Sequence, residues 1–172
     1  MADAAPQSAT AWPEVVRVSV EDDPNSGPWN MAVDGVLLES ALSDGVCSLR
    51  WYRWREPTLS LGHFQSPDDP LIDERFAELP RVRRLSGGGA ILHDRELTYS
   101  CAVGPQHPLA TQPAELYRQM HAAIIGVLEV QGVHVTRRGA SDRSLDANFL
   151  CFSRGDANDL VVSDHKILGS AQ

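Results

Sequence analysis

Residues 83–94 read Arg-Arg-Leu-Ser-Gly-Gly-Gly-Ala-Ile-Leu-His-Asp, and the fold is best read outward from them. Gly87, Gly88 and Gly89 form a stretch without Cβ atoms, free to take φ > 0 and to lie flat against a bound molecule. Arg84 stands just before the loop, and His93 with Asp94 closes the apolar run after it. Such a loop presents N–H donors to an anionic group, and arginine adds a charged fork suited to carboxylate or phosphate. An ordinary glycine-rich hairpin would use the same residues. A P-loop would need Gly-Lys-Ser/Thr at its end, which does not follow Gly89. A dinucleotide fingerprint would open into a helix, whereas Ala90-Ile91-Leu92 reads as a short strand. The segment is therefore a strand, a glycine loop and a strand.

The surrounding chain bounds the possibilities. Its 172 residues suffice for one good core, with 42% apolar and 22% charged residues near globular averages. A formal charge of −8 argues against a nucleic-acid binder, which normally carries a basic face. Cys47, Cys101 and Cys151 are odd in number and widely spaced. That pattern disfavours a disulfide framework or a structural zinc site and suits a reducing cytoplasm. No metal site is expected. No apolar run approaches the roughly 20 residues of a membrane span, and no signal peptide is read at the start. Residues 1–12 are small and polar and are expected to form a disordered tail, with 13–172 as one domain.

The pattern predicts strands over Glu14–Val20, Ser48–Trp54 and Thr58–Gly62, and around the loop over Arg81–Leu85, Ala90–His93 and Leu97–Val103. Short strands over Val133–Thr136, Asp159–Val162 and Lys166–Gly169 finish the chain. Helices are predicted over Pro28–Leu42, Asp69–Leu79 and Pro113–Gln131 from apolar spacing, Pro28 being placed for a first turn. Without regular βαβ alternation, α+β is the expected class.

Three segments together resemble the biotin/lipoate protein ligase family on its lipoate and octanoate side. Arg83-Arg84-Leu85-Ser86-Gly87-Gly88, followed by His93-Asp94, is similar to that family's main signature. Gly27 to Leu38 resembles its first helix, and His165-Lys166-Ile167-Leu168-Gly169-Ser170-Ala171-Gln172 resembles its lysine motif. The stretch Trp51 to Gln65 also fits. The resemblance implies a catalytic domain related to class II aminoacyl-tRNA synthetases, a mixed sheet packed with helices. It also implies further strands and a helix beyond Gln172, so the chain is read as truncated at its C-terminal end.

The resemblance turns ordinary residues into candidates. Lys166, otherwise a solvated lysine, becomes the group that contacts the acyl carbonyl, where a fixed ammonium neutralises charge developing on oxygen. Arg84, Ser86, Gly87, Gly88 and Gly89 become substrate-binding residues. Gly169 and Ser170 would let the backbone pass close to the acyl group. His93 and Asp94 either orient a ligand or form a turn held by side-chain hydrogen bonds. The family usually has glycine before the lysine stretch, whereas Ser163-Asp164-His165 stand here; a changed turn is expected, with His165 a minor acid–base candidate.

Cys151 separates two chemistries. Between apolar neighbours it reads as a small buried hydrophobe. The resemblance to one octanoyltransferase branch, with its Cys-Phe pair before the lysine, implies a nucleophile that holds the acyl group as a thioester. Glu96-Leu97-Thr98-Tyr99-Ser100 favours that branch. Gly89 and Asn158-Asp159 point instead to ATP-dependent ligases. The preferred reading is a cytoplasmic, monomeric acyltransferase. It would take octanoate from acyl carrier protein and place it on a lysine of a lipoyl domain or glycine-cleavage H protein, without a cofactor. A lipoate–protein ligase using ATP and Mg²⁺ is the alternative, a non-catalytic acyl-binding relative the second; neither nucleic acid nor membrane is an expected partner.

Overall fold

A computed structural model describes residues 12–139 and 155–172. Cys151 and residues 1–11 of the expected tail lie outside the described residues. Among the described residues three three-stranded sheets and three α-helices follow in a mixed order, so the α+β expectation holds. Among the described residues no helix is long and apolar enough to cross a membrane.

The first sheet joins β1 (Val16–Val20), β2 (Cys47–Tyr52) and β6 (Thr98–Ala102). β1 runs parallel to β2 because α1 (Gly27–Asp44) carries the chain back across the sheet; β6 closes it antiparallel. Pro28 begins α1, where a missing N–H costs nothing, and Gly45 ends it at φ 69°. α1 is pinned to the sheet by polar groups. Arg50, fully buried, bonds Glu21 at 2.6 Å and Asp34 at 2.9 Å, and also reaches the Asn30 side chain and carbonyl. Burial alone would lower the Arg50 pKa, but the two carboxylates outweigh it and raise it. Asp34 also accepts from Tyr52 and Ser100, so one carboxylate links α1 to both β2 and β6.

The second sheet has the order β4 (Arg81–Arg83), β3 (Thr58–Leu61), β5 (Ile91–His93). β4 lies parallel to β3 after the short α2 (Pro70–Phe76), and β5 is antiparallel on the other side. The glycine loop is therefore not a hairpin, since the strands it joins flank β3 and never pair. Two β–α–β crossovers thus exist that the sequence pattern did not reveal. Alternation along β3 sends Leu59 and Leu61 into a core with Ile72, Phe76 and Ala90, and turns Thr58 and Ser60 to the opposite face.

The third sheet pairs β7 (Thr136–Arg137), β8 (Leu160–Val162) and β9 (His165–Leu168). Ser163 and Asp164 make the β8–β9 turn at φ 46° and 67°, the left-handed pair expected of a type I′ hairpin. Two non-glycine residues thus hold the left-handed conformation that glycine takes most easily. α3 (Pro113–Val130) follows a 3₁₀ turn at Pro108–Thr111, which the sequence reading passed over. Between α3 and the first sheet lies an apolar cleft of about 580 Å³, lined by Trp12, Val18, Leu49, Trp51, Cys101, Met120 and Ile124 among others.

Candidate functional site

The glycine loop is held from beneath. Arg84, only 8% exposed, donates to the carbonyl oxygens of Gly87 at 2.7 Å and Gly89 at 2.6 Å, and to Ser60 O at 3.0 Å. Instead of reaching outward as a free anion ligand, its fork gathers loop carbonyls inward. Only Gly88 takes positive φ, 88°. A Cβ at Gly62 would lie 2.1 Å from the Gly88 carbonyl oxygen, so β3 meets the loop where a side chain cannot fit. Ser86 adds a backbone bond, its carbonyl accepting from His63 N–H at 3.0 Å.

His93 supports the same loop. Its Nε2 lies 2.7 Å from Ser60 Oγ and its Nδ1 2.6 Å from Glu96 Oε1, while its ring stacks on Trp54 with centroids 3.9 Å apart. Burial pushes the Glu96 pKa up, but the bonds from His93 and from the Asp94 amide reverse this and hold it below the ordinary value. Serine, histidine and carboxylate in line resemble a nucleophile with its base. Ser60 is fully buried, however, and its Oγ also accepts from Arg84 at 3.2 Å. This is a brace between β3, β5 and the loop. Asp94 is exposed and gives its backbone N–H to Glu96, as a turn residue does.

Lys166 comes from β9. Its ammonium pairs with Asp159 Oδ1 at 3.0 Å, both side chains being at most 8% exposed. Asp159 also takes the Asp156 amide at 2.8 Å and lies 3.5 Å from Arg138 Nε. Gly169 makes room for the pair, because a Cβ there would stand 2.8 Å from Lys166 Nζ and 3.2 Å from Asp159 Oδ1. The lysine is thus a buried, paired charge instead of a solvated head on a flexible stem. The glycine loop meets the segment that follows β9 where Gly87 N–H donates to Gln172 O at 2.9 Å.

Ser170 reveals residues the sequence reading missed. Its hydroxyl bonds Tyr99 OH and sits 2.9 Å from His121 Nε2, and its backbone bonds Tyr117 OH twice, at 3.1 Å. His121 is fully buried on α3, within a run of apolar positions, and its Nδ1 lies 2.8 Å from Asn158 O. A histidine inside the apolar stripe of a helix was the available signal. Burial lowers the His121 pKa and pushes that of Tyr99 up to about 12, so the phenol keeps its proton. His165 is exposed, and its Nδ1 lies 2.9 Å from Ser163 O in its own turn. Among the described residues no group of three or more His, Cys, Asp or Glu could hold a metal ion.

A mixed α+β domain that sets a glycine loop against a buried lysine strand is a known class of fold. Residues 26–172 match the model of the lipoyl protein ligase A/B catalytic domain, and the chain belongs to that family. The octanoyltransferase LipM of Carboxydothermus hydrogenoformans is 36% identical over 154 residues, which cover 86% of this chain and 56% of the relative. LipM of Clostridioides difficile is 32% identical over 153 residues, 85% and 56% of the two chains. The chain thus spans a little over half the length of the curated relatives it matches. A solved Thermoplasma acidophilum protein, a lipoate protein ligase homologue with bound lipoic acid, superposes with a TM-score of 0.63 at 22% identity, over 90% of this chain and 61% of that one. A lipoate-protein ligase A bound with ATP gives 0.64 at 22% identity, over 90% and 60%. These two likenesses concern the fold.

Proposed function

We propose that this domain carries out octanoyl transfer in protein lipoylation, with Lys166 at the acyl carbonyl and Cys151 as the acyl-bearing nucleophile. The observation that carries the reading is the placement of Lys166: a buried ammonium, fixed by Asp159 beneath a bare Gly169, on the strand whose following segment meets the glycine loop at Gly87. A charge held in that way needs no reorganisation as an oxyanion forms, which is the most effective form of electrostatic stabilisation. Amides of Gly88 and Gly89, in a loop braced by Arg84 and Ser60, serve as donors around the bound group. The octanoyltransferase relatives, each named LipM, support transfer over the ATP-dependent reading.

In the reaction, the Cys151 thiolate attacks the carbonyl carbon of an octanoyl thioester on acyl carrier protein. The C–S bond to the carrier breaks, and the carrier leaves as its thiol after taking up a proton. A lysine amine of a lipoyl domain or H protein then attacks the Cys151 thioester, giving the amide and returning the cysteine. No oxidation or reduction occurs, so no cofactor is consumed; ATP and Mg²⁺ belong only to the ligase alternative. The apolar cleft beside Tyr99, whose ring packs on Trp51 at 5.3 Å, is where we place the acyl chain. At about 0.8 kcal/mol per CH₂, burying an eight-carbon chain contributes roughly 5 kcal/mol of binding. Two free thiols, Cys47 and Cys101, support the cytoplasmic assignment.

The test is to trap the intermediate. Incubation with octanoyl carrier protein should load one octanoyl group on the chain, labile to hydroxylamine and absent in Cys151→Ser. Loading that persists in Cys151→Ser would remove the thioester mechanism.

A further inference from the structure

His121 stands outside every motif that marks this chain, yet it touches both segments that flank Lys166. Its Nδ1 meets Asn158 O at 2.8 Å, next to the Asp159 that holds the ammonium, and its Nε2 meets the hydroxyl of Ser170 at 2.9 Å, four residues past the lysine. We infer that His121 is a positioning residue of the transfer site, a buried clamp that fixes the Asn158–Asp159 turn against Ser170 and so sets where the Lys166 ammonium sits. The inference rests on the proposed role of Lys166.

The bonding fixes the direction of the chain. A carbonyl can only accept, so Nδ1 carries the proton given to Asn158 O. In the neutral ring Nε2 is then bare and accepts from the Ser170 hydroxyl. The Ser170 oxygen in turn accepts from Tyr99 OH, which keeps its proton. Every polar atom in the run Tyr99–Ser170–His121–Asn158 O has one compatible role. A second proton on His121 reverses the run: Nε2 becomes a donor, Ser170 must swing its own proton to Tyr99 OH, and a positive charge is buried on the Arg137 side of the ring. The groups facing the ring decide how readily this happens. Burial and the positive charge of Arg137 oppose the proton; the Asn158 carbonyl and the carboxylates of Asp156 and Asp159 favour it, and burial prevails. The Tyr117 ring, 4.3 Å from the imidazole, adds no charge. As pH falls through the lowered His121 pKa the run is forced into this reversed, charged form, and transfer falls with it.

Two substitutions separate this from a simple packing role. In His121→Gln the introduced amide could give its N–H to Asn158 O and accept from Ser170 O–H, yet it cannot ionise. We expect His121→Gln to keep kcat within about threefold at neutral pH and to lose the acidic fall of the wild-type profile. His121→Leu should lower kcat per folded molecule by about tenfold or more, through misplacement of the ammonium, with a smaller change in KM. Equal kcat in wild type and His121→Leu, or an unchanged acidic limb in His121→Gln, overturns the inference. Should the leucine variant not fold, nitrogen-15 spectra of the histidine-labelled wild-type chain still decide, with His121→Gln assigning the signal. A neutral Nδ1–H ring at neutral pH is expected, and an Nε2–H ring or an imidazolium contradicts the clamp. If the wild-type chain transfers nothing, the proposed function fails, while the spectra continue to test the clamp by itself.

Discussion

The amide of Gly87 and the carbonyl of Gln172, 2.9 Å apart, join two motifs separated by most of a domain. One residue belongs to the loop that Arg84 shapes, the other to the segment that follows the Lys166 strand, four residues past its end at Leu168. The loop's position is therefore tied to the lysine segment through a backbone bond, and its shape is held by the Arg84 side chain. Gly62 secures the opposite flank by admitting the Gly88 carbonyl where a methyl group would collide. Gly62→Ala should displace the loop, lower stability by about 1–3 kcal/mol and reduce acyl transfer more than tenfold. A thermal melt together with a transfer assay checks this; an alanine variant that melts and transfers like wild type contradicts the close approach.

Lys166 and Asp159 form a buried pair, and breaking such a pair commonly costs about 3–5 kcal/mol because it leaves one charge stranded. Reading Lys166 as a solvated surface lysine would suggest that its removal leaves the fold untouched. The burial reverses that expectation. Lys166→Ala should abolish transfer and also destabilise the chain, whereas Lys166→Met with Asp159→Asn should recover much of the stability and none of the activity. Urea denaturation and a transfer assay on the three proteins measure both effects. Stability unaltered in Lys166→Ala would mean that the pair is solvated.

Glu96 supplies a pH signature. Its folded-state pKa lies below the ordinary 4.5 because His93 and the Asp94 amide bond its ionised form. A depressed carboxylate contributes stability that is complete above its unfolded value and lost as pH falls through the folded one. The urea midpoint of the wild type should decline from about pH 5 toward about pH 3, and less steeply in Glu96→Gln. Parallel declines in the two proteins would show that Glu96 does not bond His93 in solution.

The cysteines should divide by environment. Cys101 borders the apolar cleft, and burial, with Cys47 nearby, pushes its thiol up to about 11. A neutral thiol is a poor nucleophile. Cys47→Ser and Cys101→Ser should therefore retain acyl transfer, and iodoacetamide at mildly alkaline pH should label Cys101 slowly. Loss of transfer in Cys101→Ser, with an intact fold, would assign it a part in the chemistry.

Much of this was legible because the relevant residues are local. Pro28 opens α1, apolar spacing marks α3, and Gly87 to Gly89 announce a loop whatever surrounds them. The end of α1 at Asp44, two residues past the expected Leu42, is set by Gly45. What stayed hidden depends on contacts between distant segments. Arg84 is recognisable as functional, yet nothing in its neighbours says that its fork turns inward to Ser60, Gly87 and Gly89. The parallel pairings of β1 with β2 and β3 with β4 arise from crossovers whose helices read as ordinary amphipathic segments. His121 gains its meaning only when α3 packs against Asn158 and Ser170, which lie 37 and 49 residues further along. Asp159 was visible beside Asn158 but pointed toward ATP-dependent chemistry; in the folded chain its carboxylate is committed to Lys166, the Asp156 amide and Arg138.

In the proposed reaction octanoate moves from a thioester to a protein lysine with no nucleotide. The most direct measurement is the intact mass of an apo lipoyl domain incubated with this chain and octanoyl carrier protein, first without and then with ATP and Mg²⁺. The account predicts one added octanoyl group in both samples at equal rates, and none when Lys166→Ala replaces the wild type. Modification that appears only with free octanoate, ATP and Mg²⁺ would contradict it and make this domain a ligase.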